Sequence, residues 1–457
     1  MKGGKDSDYV QGSLWGGIIS FSLPYLLSYF LQLLYGLADL YFIGRWCGVE
    51  STTAVSIGSQ IMHMVTVVIV GLAMGTTVMI ARATGARDGR RQSRAIGNTA
   101  TLFLLFSVGL TLLLTALRQP IIRVMSTPAD AVSGTSAYLT LCFLGIPFIT
   151  AYNIIASVFR GLGDSRSPLY FIAVACGINI LLDILFIGKL GMGPAGAALA
   201  TVLSQTISVA VSLAYAHRQR RIRLSPGHLR PDPETLGQML RIGVPISLQD
   251  GLIQVGFLVI TIIANRRGLD DAAAVGIVEK LIGMIFLVPS AMLSTVSTLA
   301  AQNMGAGRHD RARRVLWDAV LICTVYGLAV SLIIQPTAEG AVGLFTGDGA
   351  VIRQGGQYLR SYIWDTLPAG IHFSFSGFFC AYGQAGISFL HNMASLLLAR
   401  IPLAWTLSAA YPDTLYPMGW SAPAGSLLSV LICLAAYAWL RRRGTLPGLS
   451  TPEPLQA

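Results

Sequence analysis

Long apolar runs separated by short polar turns make up almost the whole of this chain. Runs long enough to cross a bilayer, about 20 residues each, fall near 18–44, 56–81, 97–117, 137–159, 168–188, 194–215, 243–265, 273–299, 315–336, 358–383, 387–409 and 418–440. The runs are continuous rather than alternating, which predicts helices and excludes a membrane barrel of strands. The expected fold is an all-α membrane protein with twelve transmembrane helices. Pro147, Pro289, Pro368 and Pro402 lie inside the runs and are read as bends.

Composition narrows the function classes. Apolar residues make up 53% of the 457 positions and charged residues only 12%, about half the share of an average soluble domain. So few charges cannot coat a water-facing surface. A soluble enzyme, a nucleic-acid binder and a disordered chain are thereby excluded. The net charge of +11 is carried mainly by arginine, which supplies 28 of the 32 basic residues, and its placement decides orientation rather than partner. Starting at the N-terminal tail, alternate loops hold 22 Lys and Arg, whereas the intervening loops hold 8. Under the positive-inside rule both termini face the cytoplasm, in a plasma (bacterial inner) membrane. Trp15, Trp46, Trp420 and Trp439 flank the first and last runs, as interfacial aromatics do. The six cysteines show no metal-ligand spacing, so neither a structural metal nor a disulfide framework is expected. The opening segment lacks a short apolar core with a small-residue cleavage site, so no signal peptide is expected.

The chain divides at its longest internal polar stretch, HRQRRIRLSPGHLRPDPE at 217–234. The expected organisation is a cytoplasmic tail (1–17), an N-lobe of six spans (18–216), a cytoplasmic linker (217–240), a C-lobe of six spans (241–440) and a second cytoplasmic tail (441–457). The lobes repeat. Pro24 and Pro245 are 221 apart, and the pairs Gly85/Gly305, Tyr138/Tyr358 and Gly163/Gly383 are each 220 apart. Six spans is an even number, so both copies enter the membrane in the same direction and the repeat is parallel. Two six-helix lobes around a cleft is a transporter layout, not an enzyme's.

Buried ionisable residues locate the chemistry, because a charge at mid-membrane costs about 2.5–3.5 kcal/mol on insertion scales. Asp39 lies deep in span one, 15 residues after Pro24, whose missing N–H permits a hinge. Asn179 and Asp183 are spaced i,i+4 and project from one face of span five. Span six opens with the small-residue stretch GMGPAGAALAT, which allows close helix approach and presents Thr201. Two carboxylates with amide and hydroxyl oxygens suit Na⁺, and they equally suit a shared proton. The repeat offset carries Asp39 to Ile260, Asn179 to Ala399 and Asp183 to Leu403. Loss of all three in the second copy favours a single coupling site in the first lobe. The second lobe has its own polar set: Gln249, Asp250 and Gln254 on span seven, Glu279 on span eight, and Asp365, His372 and Phe375 on span ten. Asp250 and Asp365 are read as lying near span ends in contact with solvent. Gln249, Asp250, Gln254, Glu279, His372 and Phe375 are the candidate substrate-cavity residues, with aromatic groups offering cation–π contact.

The segments PYLLSYFLQLLYGLADLYFIG, VGLAMGTTVMIARATGARD, ASVFRGLGDSRSPLYFIAVACGINILLDILFI and GPAGAALATVLSQ in the first half, with IGVPISLQDGL, TLAAQNMGAGRHDRARR and ARIPLAW in the second, resemble the multidrug and toxic compound extrusion (MATE) family over residues 18–440. The second half departs from that pattern at FCAYGQ, where the first half has the glycine-and-acid turn FRGLGD, and at Asp250. The resemblance implies a twelve-helix antiporter that exports organic cations against H⁺ or Na⁺, with Asp39, Asn179, Asp183 and Thr201 matching the family's first-lobe cation site. No cofactor beyond that coupling ion is implied. The expected partners are small organic cations and the lipid bilayer, with no nucleic acid, and the protein is expected to function as a monomer. The competing reading within the same superfamily is a flippase for lipid-linked oligosaccharides. Only Lys280 and Arg400 are intramembrane positives, too few for the basic cavity a pyrophosphate needs. No metalloprotease, Walker-lysine or nucleophile-elbow motif is present.

Overall fold

The computed structural model describes residues 9–219 and 226–444; the start of the N-terminal tail, positions 220–225 of the linker and the C-terminal tail from 445 lie outside the described residues. Every regular element among the described residues is helical. Span one is Leu14–Trp46, span two Val49–Gly85 and span three Gly89–Val124. Span four is the pair Ala129–Leu144 and Ile146–Gly161, bent by 51°. Span five runs Arg166–Asp183 and continues as a π-helix over Ile184–Lys189; span six is Gly193–Gln219. Span seven is Pro233–Asn265, and span eight joins Leu269–Ile285 to Leu287–Gly305. Span nine is His309–Gly343. Span ten is Gly349–Tyr362 and Thr366–Ala381 joined by a 3-10 turn, Ile363–Asp365. Span eleven, Ala385–Ala410, contains a π-helical segment Ser395–Arg400, and span twelve is Tyr416–Arg442.

The repeat is visible in the backbone. Second-half helices begin at Leu269, His309, Gly349 and Thr366, each 220 residues after Val49, Gly89, Ala129 and Ile146. Gly163 and Gly383 both adopt positive φ, 86° and 73°. Arg87 does so at 54°, at the position where the second copy has Gly307, so the turn geometry persists although only one copy has the glycine that suits it.

The four prolines read as bends each stand just beyond a break. Pro147 follows the end of Ala129–Leu144, Pro289 follows Phe286, Pro368 follows the 3-10 turn, and Pro402 follows the π-helical segment. A proline ring denies its i−4 carbonyl an intrahelical partner, and the helix resolves this by restarting with proline in its first turn. Pro24 and Pro245 differ, since both lie inside uninterrupted helices. The turn FRGLGD also has a structural reason. Asp164 accepts from the N–H groups of Arg166 and Ser167, at 3.1 and 2.9 Å, and so caps span five. In FCAYGQ the corresponding Gln384 makes no such cap.

Two compact units result. The first comprises residues 23–243. A side chain added at Gly161 would meet Ile80 Cβ at 2.8 Å, so spans two and four pack backbone to backbone there. This unit includes the start of span seven, held where the Thr101 hydroxyl donates to the Leu229 carbonyl (2.7 Å) and the Asp232 N–H donates to Asn98 Oδ1 (2.6 Å). The second unit comprises residues 1–22 and 244–457. In it, Asn303 and Arg311 donate to the Tyr9 and Gly12 carbonyls at 3.2 and 2.6 Å, which fixes the approach to span one. Outward faces such as Leu104, Leu105, Leu112 and Leu113 on span three, or Leu332 and Ile333 on span nine, are exposed. Patches of that extent suit lipid, not water.

Candidate coupling site and second-lobe polar clusters

Spans one, five and six of the first unit bring Asp39, Asn179, Asp183 and Thr201 together. The i,i+4 pair on span five puts Asn179 and Asp183 on one helix face, and both are fully buried. On span six, Ala197, Ala198 and Ala200 are buried without exposure; their small side chains let that helix approach closely enough to present Thr201. The Thr201 hydroxyl donates to Asp39 Oδ2 at 3.1 Å, and Asp183 and Asn179 lie beside the same carboxyl. The cluster is far from satisfied. Asp39 Oδ1, both Asp183 carboxyl oxygens and both Asn179 amide atoms are buried with no hydrogen-bond partner.

Unpaired polar atoms at this density carry a heavy cost in an apolar medium. Among the described residues, no basic side chain stands among the groups acting on Asp39 or Asp183. The donor set is therefore carboxylate, amide and hydroxyl oxygen with uncompensated negative charge, which fits a hard monovalent cation or a transferable proton. Span five widens into a π-helix directly after Asp183, a distortion that often accompanies function.

The shell around this cluster contains residues that the sequence reading passed over. Asp39 acts electrostatically on Tyr35, one turn before it, and on Tyr138 and Cys142. Gln205, one turn after Thr201, is buried with Oε1 unpaired. The i±4 spacing from Asp39 and Thr201 was the available signal for both. Pro24 sits in a continuous helix, where its carbonyl accepts from the Ser28 hydroxyl at 2.8 Å. Beside it, Tyr25, Tyr29, Tyr152 and Arg160 line a small cleft, with the Arg160 guanidinium 4.9 Å from the Tyr25 ring centre.

In the second unit the proposed cavity residues separate into groups. Gln249 is buried and donates to Asp250 at 3.3 Å, while Gln254 is half-buried one turn further on. Asp250 lies in the middle of span seven and is half-buried. It is not at a helix end, because the helix starts at Pro233, ten residues before the apolar run does. Asp365 is likewise not solvated: it is 1% exposed, at the 3-10 break inside span ten. Glu279 accepts from the Tyr358 and Tyr362 hydroxyls, each at 3.4 Å. His372 is buried against His391, ring centres 5.5 Å apart, and His391 in turn faces the Ser376 and Ser429 hydroxyls at 2.9 and 3.1 Å. Phe375 is fully buried and packs against Trp317 and Tyr437. That is an aromatic core contact, not a cavity wall. No hydrogen bond among the described residues joins Gln249 and Asp250 to Glu279 or His372.

The MatE family profile matches residues 24–185 and again residues 245–406. The chain belongs to the MatE family. The two matches are offset by 221 residues, so the family profile reports the same internal repeat, and the first match encloses Asp39, Asn179 and Asp183. Among relatives, this MatE chain is 26% identical to the probable multidrug resistance protein YoeA of Bacillus subtilis, covering 94% of this chain and 95% of that one. It is 29% identical to the probable multidrug resistance protein YpnP of the same organism, over 89% and 91% of the two chains. The multidrug export protein MepA of Staphylococcus aureus is 23% identical over 96% of each. Among solved structures, an outward-facing multidrug resistance MATE family transporter of the MOP superfamily superimposes with a TM-score of 0.89 at 22% identity, covering 98% of this chain and 99% of that one. The fold of this MatE chain is thus the two-lobed, twelve-span transporter fold.

Proposed function

We propose that this multi-pass membrane protein is a secondary antiporter that exports cationic or amphipathic organic compounds in exchange for H⁺ or Na⁺. The observation that carries this reading is the buried cluster of Asp39, Asn179, Asp183 and Thr201, with five polar atoms lacking partners and, among the described residues, no basic side chain acting on its acids. The substrate class is taken from the relatives, whose names are those of multidrug resistance and export proteins. Coupling follows if the ion binds one access state more tightly than the other, because only differential affinity shifts a conformational equilibrium. A single chain carries both lobes and works as a monomer.

Dye efflux from proteoliposomes tests the reading. An imposed pH gradient or an imposed sodium gradient is expected to drive export of a cationic dye, and the effective gradient identifies the ion. Failure of both gradients, with protein inserted and folded, overturns antiport. Orientation is checked separately by single-cysteine labelling in a background without native cysteines. A cysteine at Gly347, exposed before span ten, is expected to react with an impermeant reagent outside intact cells, and one at Gly89 is expected not to. The reverse pattern would place both termini outside.

A further inference from the structure

The second unit holds an intramembrane charged cluster of different make-up, Asp365 buried and Glu279 and Arg400 half-buried, at positions whose first-half counterparts are uncharged. Subtracting the 220-residue offset carries Glu279 to Ser59, Asp365 to Gly145 and Arg400 to Ile180. Arg400 ends the π-helical segment Ser395–Arg400 of span eleven. Its guanidinium donates to the Tyr362 hydroxyl and lies 4.9 Å from the Phe257 ring centre and 5.3 Å from that of Tyr362. Tyr362 and Tyr358 in turn donate to the two Glu279 oxygens. Arg400 thus reaches Glu279 through the Tyr362 hydroxyl that both contact, and Asp365 stands in the 3-10 turn that directly follows Tyr362. Asp365 is buried, with the Ser426 hydroxyl and the Arg400 charge acting on it.

The backbone fixes this placement. A side chain added at Gly425 of span twelve would come within 3.2 Å of Arg400 Cβ, so span twelve closes over the root of the arginine. The wide π turn gives span eleven one residue more per hydrogen-bonded ring than an α-helix and so turns Arg400 away from the α-helical phase. Arginine stays charged in a protein and stacks on aromatic faces while its N–H groups serve anions. Here Arg400 lies against the Phe257 and Tyr362 rings and gives an N–H to the Tyr362 hydroxyl.

We propose that Arg400 is a tethered cation filling the Glu279/Asp365 cluster of the second unit, so that these two acids hold no exchangeable ion. The proposal rests on the first-lobe coupling reading, and it separates these two acids from the coupling pair Asp39 and Asp183. It assigns Arg400 as a positioning residue that sets how many ions the transporter takes.

The test is binding of radiolabelled Na⁺ to the purified full-length protein at alkaline pH, in an Asp39→Asn/Asp183→Asn/Asp250→Asn background, which also removes the mid-span acid of span seven. That background is expected to bind no Na⁺. Adding Arg400→Gln is expected to restore binding, approaching one ion per chain at saturation, and a further Asp365→Asn is expected to abolish it. Arg400→Lys keeps the charge and is expected to match the background. Two results overturn the proposal: a folded Arg400→Gln chain in that background that binds no Na⁺, or a background that already binds Na⁺ and loses it with Glu279→Gln/Asp365→Asn. Where Arg400→Gln alone does not fold, Arg400→Gln/Glu279→Gln/Asp365→Asn is expected to recover a monodisperse protein, since removing the arginine's anions removes the need for it; failure to recover also overturns it. A fault in the first-lobe reading shows up differently, as an Asp39→Asn/Asp183→Asn change that leaves gradient-driven transport intact.

Discussion

Asp39→Asn and Asp183→Asn are each expected to cut gradient-driven dye efflux to below about a tenth of the parent rate, while the protein remains folded and inserted. The amide matches the carboxylate in size, and its carbonyl oxygen still accepts from the Thr201 hydroxyl that reaches Asp39 at 3.1 Å. Neutralising an acid with unpartnered oxygens, Oδ1 of Asp39 or both of Asp183, also lightens the cost of placing charge at mid-membrane, so stability is expected to hold or rise. Function depends on the property the amide lacks. An asparagine neither gives up and regains a proton nor offers a formal negative charge to a cation, so it cannot alternate between two ion-loaded states. Energy-independent substrate binding is expected to survive, and a binding assay beside the efflux assay separates lost coupling from lost recognition. Asp39→Asn driving efflux at the parent rate under the same gradient would move the coupling site elsewhere in the molecule.

Features that repeat along the chain were legible in the sequence, and features built from distant segments were not. The spans followed from unbroken apolar runs. The repeat followed from pairs such as Gly163 and Gly383, whose shared positive φ the structure exhibits. The breaks of spans four, eight, ten and eleven followed from single prolines, because loss of one N–H acts locally. The approach of Asp39 to Asn179, Asp183 and Thr201 was also within reach, since a charge deep in an apolar run demands a partner.

Burial near run ends was not legible. Asp365 sits close to the start of an apolar run, yet span ten begins at Gly349 with a more polar amphipathic stretch, so the acid falls inside the lobe. Arg400 gave no sign of its partners, because Glu279, Tyr362 and Asp365 come from different spans and a π-helical turn shifts the phase that spacing arguments assume. Phe375 was ambiguous for a related reason: a phenylalanine stripe reads alike whether it faces a cavity or Trp317 and Tyr437.

Arg267 is the clearest case of a residue that counted only as a loop charge in the sequence, and Arg267→Ala is expected to destabilise the protein by about 3–5 kcal/mol. Its side chain is 7% exposed although it lies in the turn between spans seven and eight. The guanidinium pairs with Asp271 at 2.7 Å. It also donates to the carbonyls of Ser408, Tyr411, Pro412 and Thr414 at 2.7, 3.1, 2.8 and 3.2 Å. One side chain therefore ties the turn before span eight to the turn between spans eleven and twelve. Removing it strands the buried Asp271 carboxylate and leaves the part-buried Ser408 and Thr414 carbonyls without this donor, and the uncompensated buried charge dominates that cost. Lysine restores the ion pair, but its compact ammonium cannot reproduce the planar fork that serves several carbonyls. Arg267→Lys is thus expected to fall between the parent and Arg267→Ala. In Arg267→Ala/Asp271→Ala the stranded carboxylate is gone, so part of the loss is expected to return, giving a non-additive cycle as residues in one network do. Thermal unfolding of these four proteins in the same detergent measures this order, and Asp271→Ala as a fifth closes the cycle. An Arg267→Ala protein that melts with the parent would show that the two turns are held together by the packing of spans eight, eleven and twelve alone.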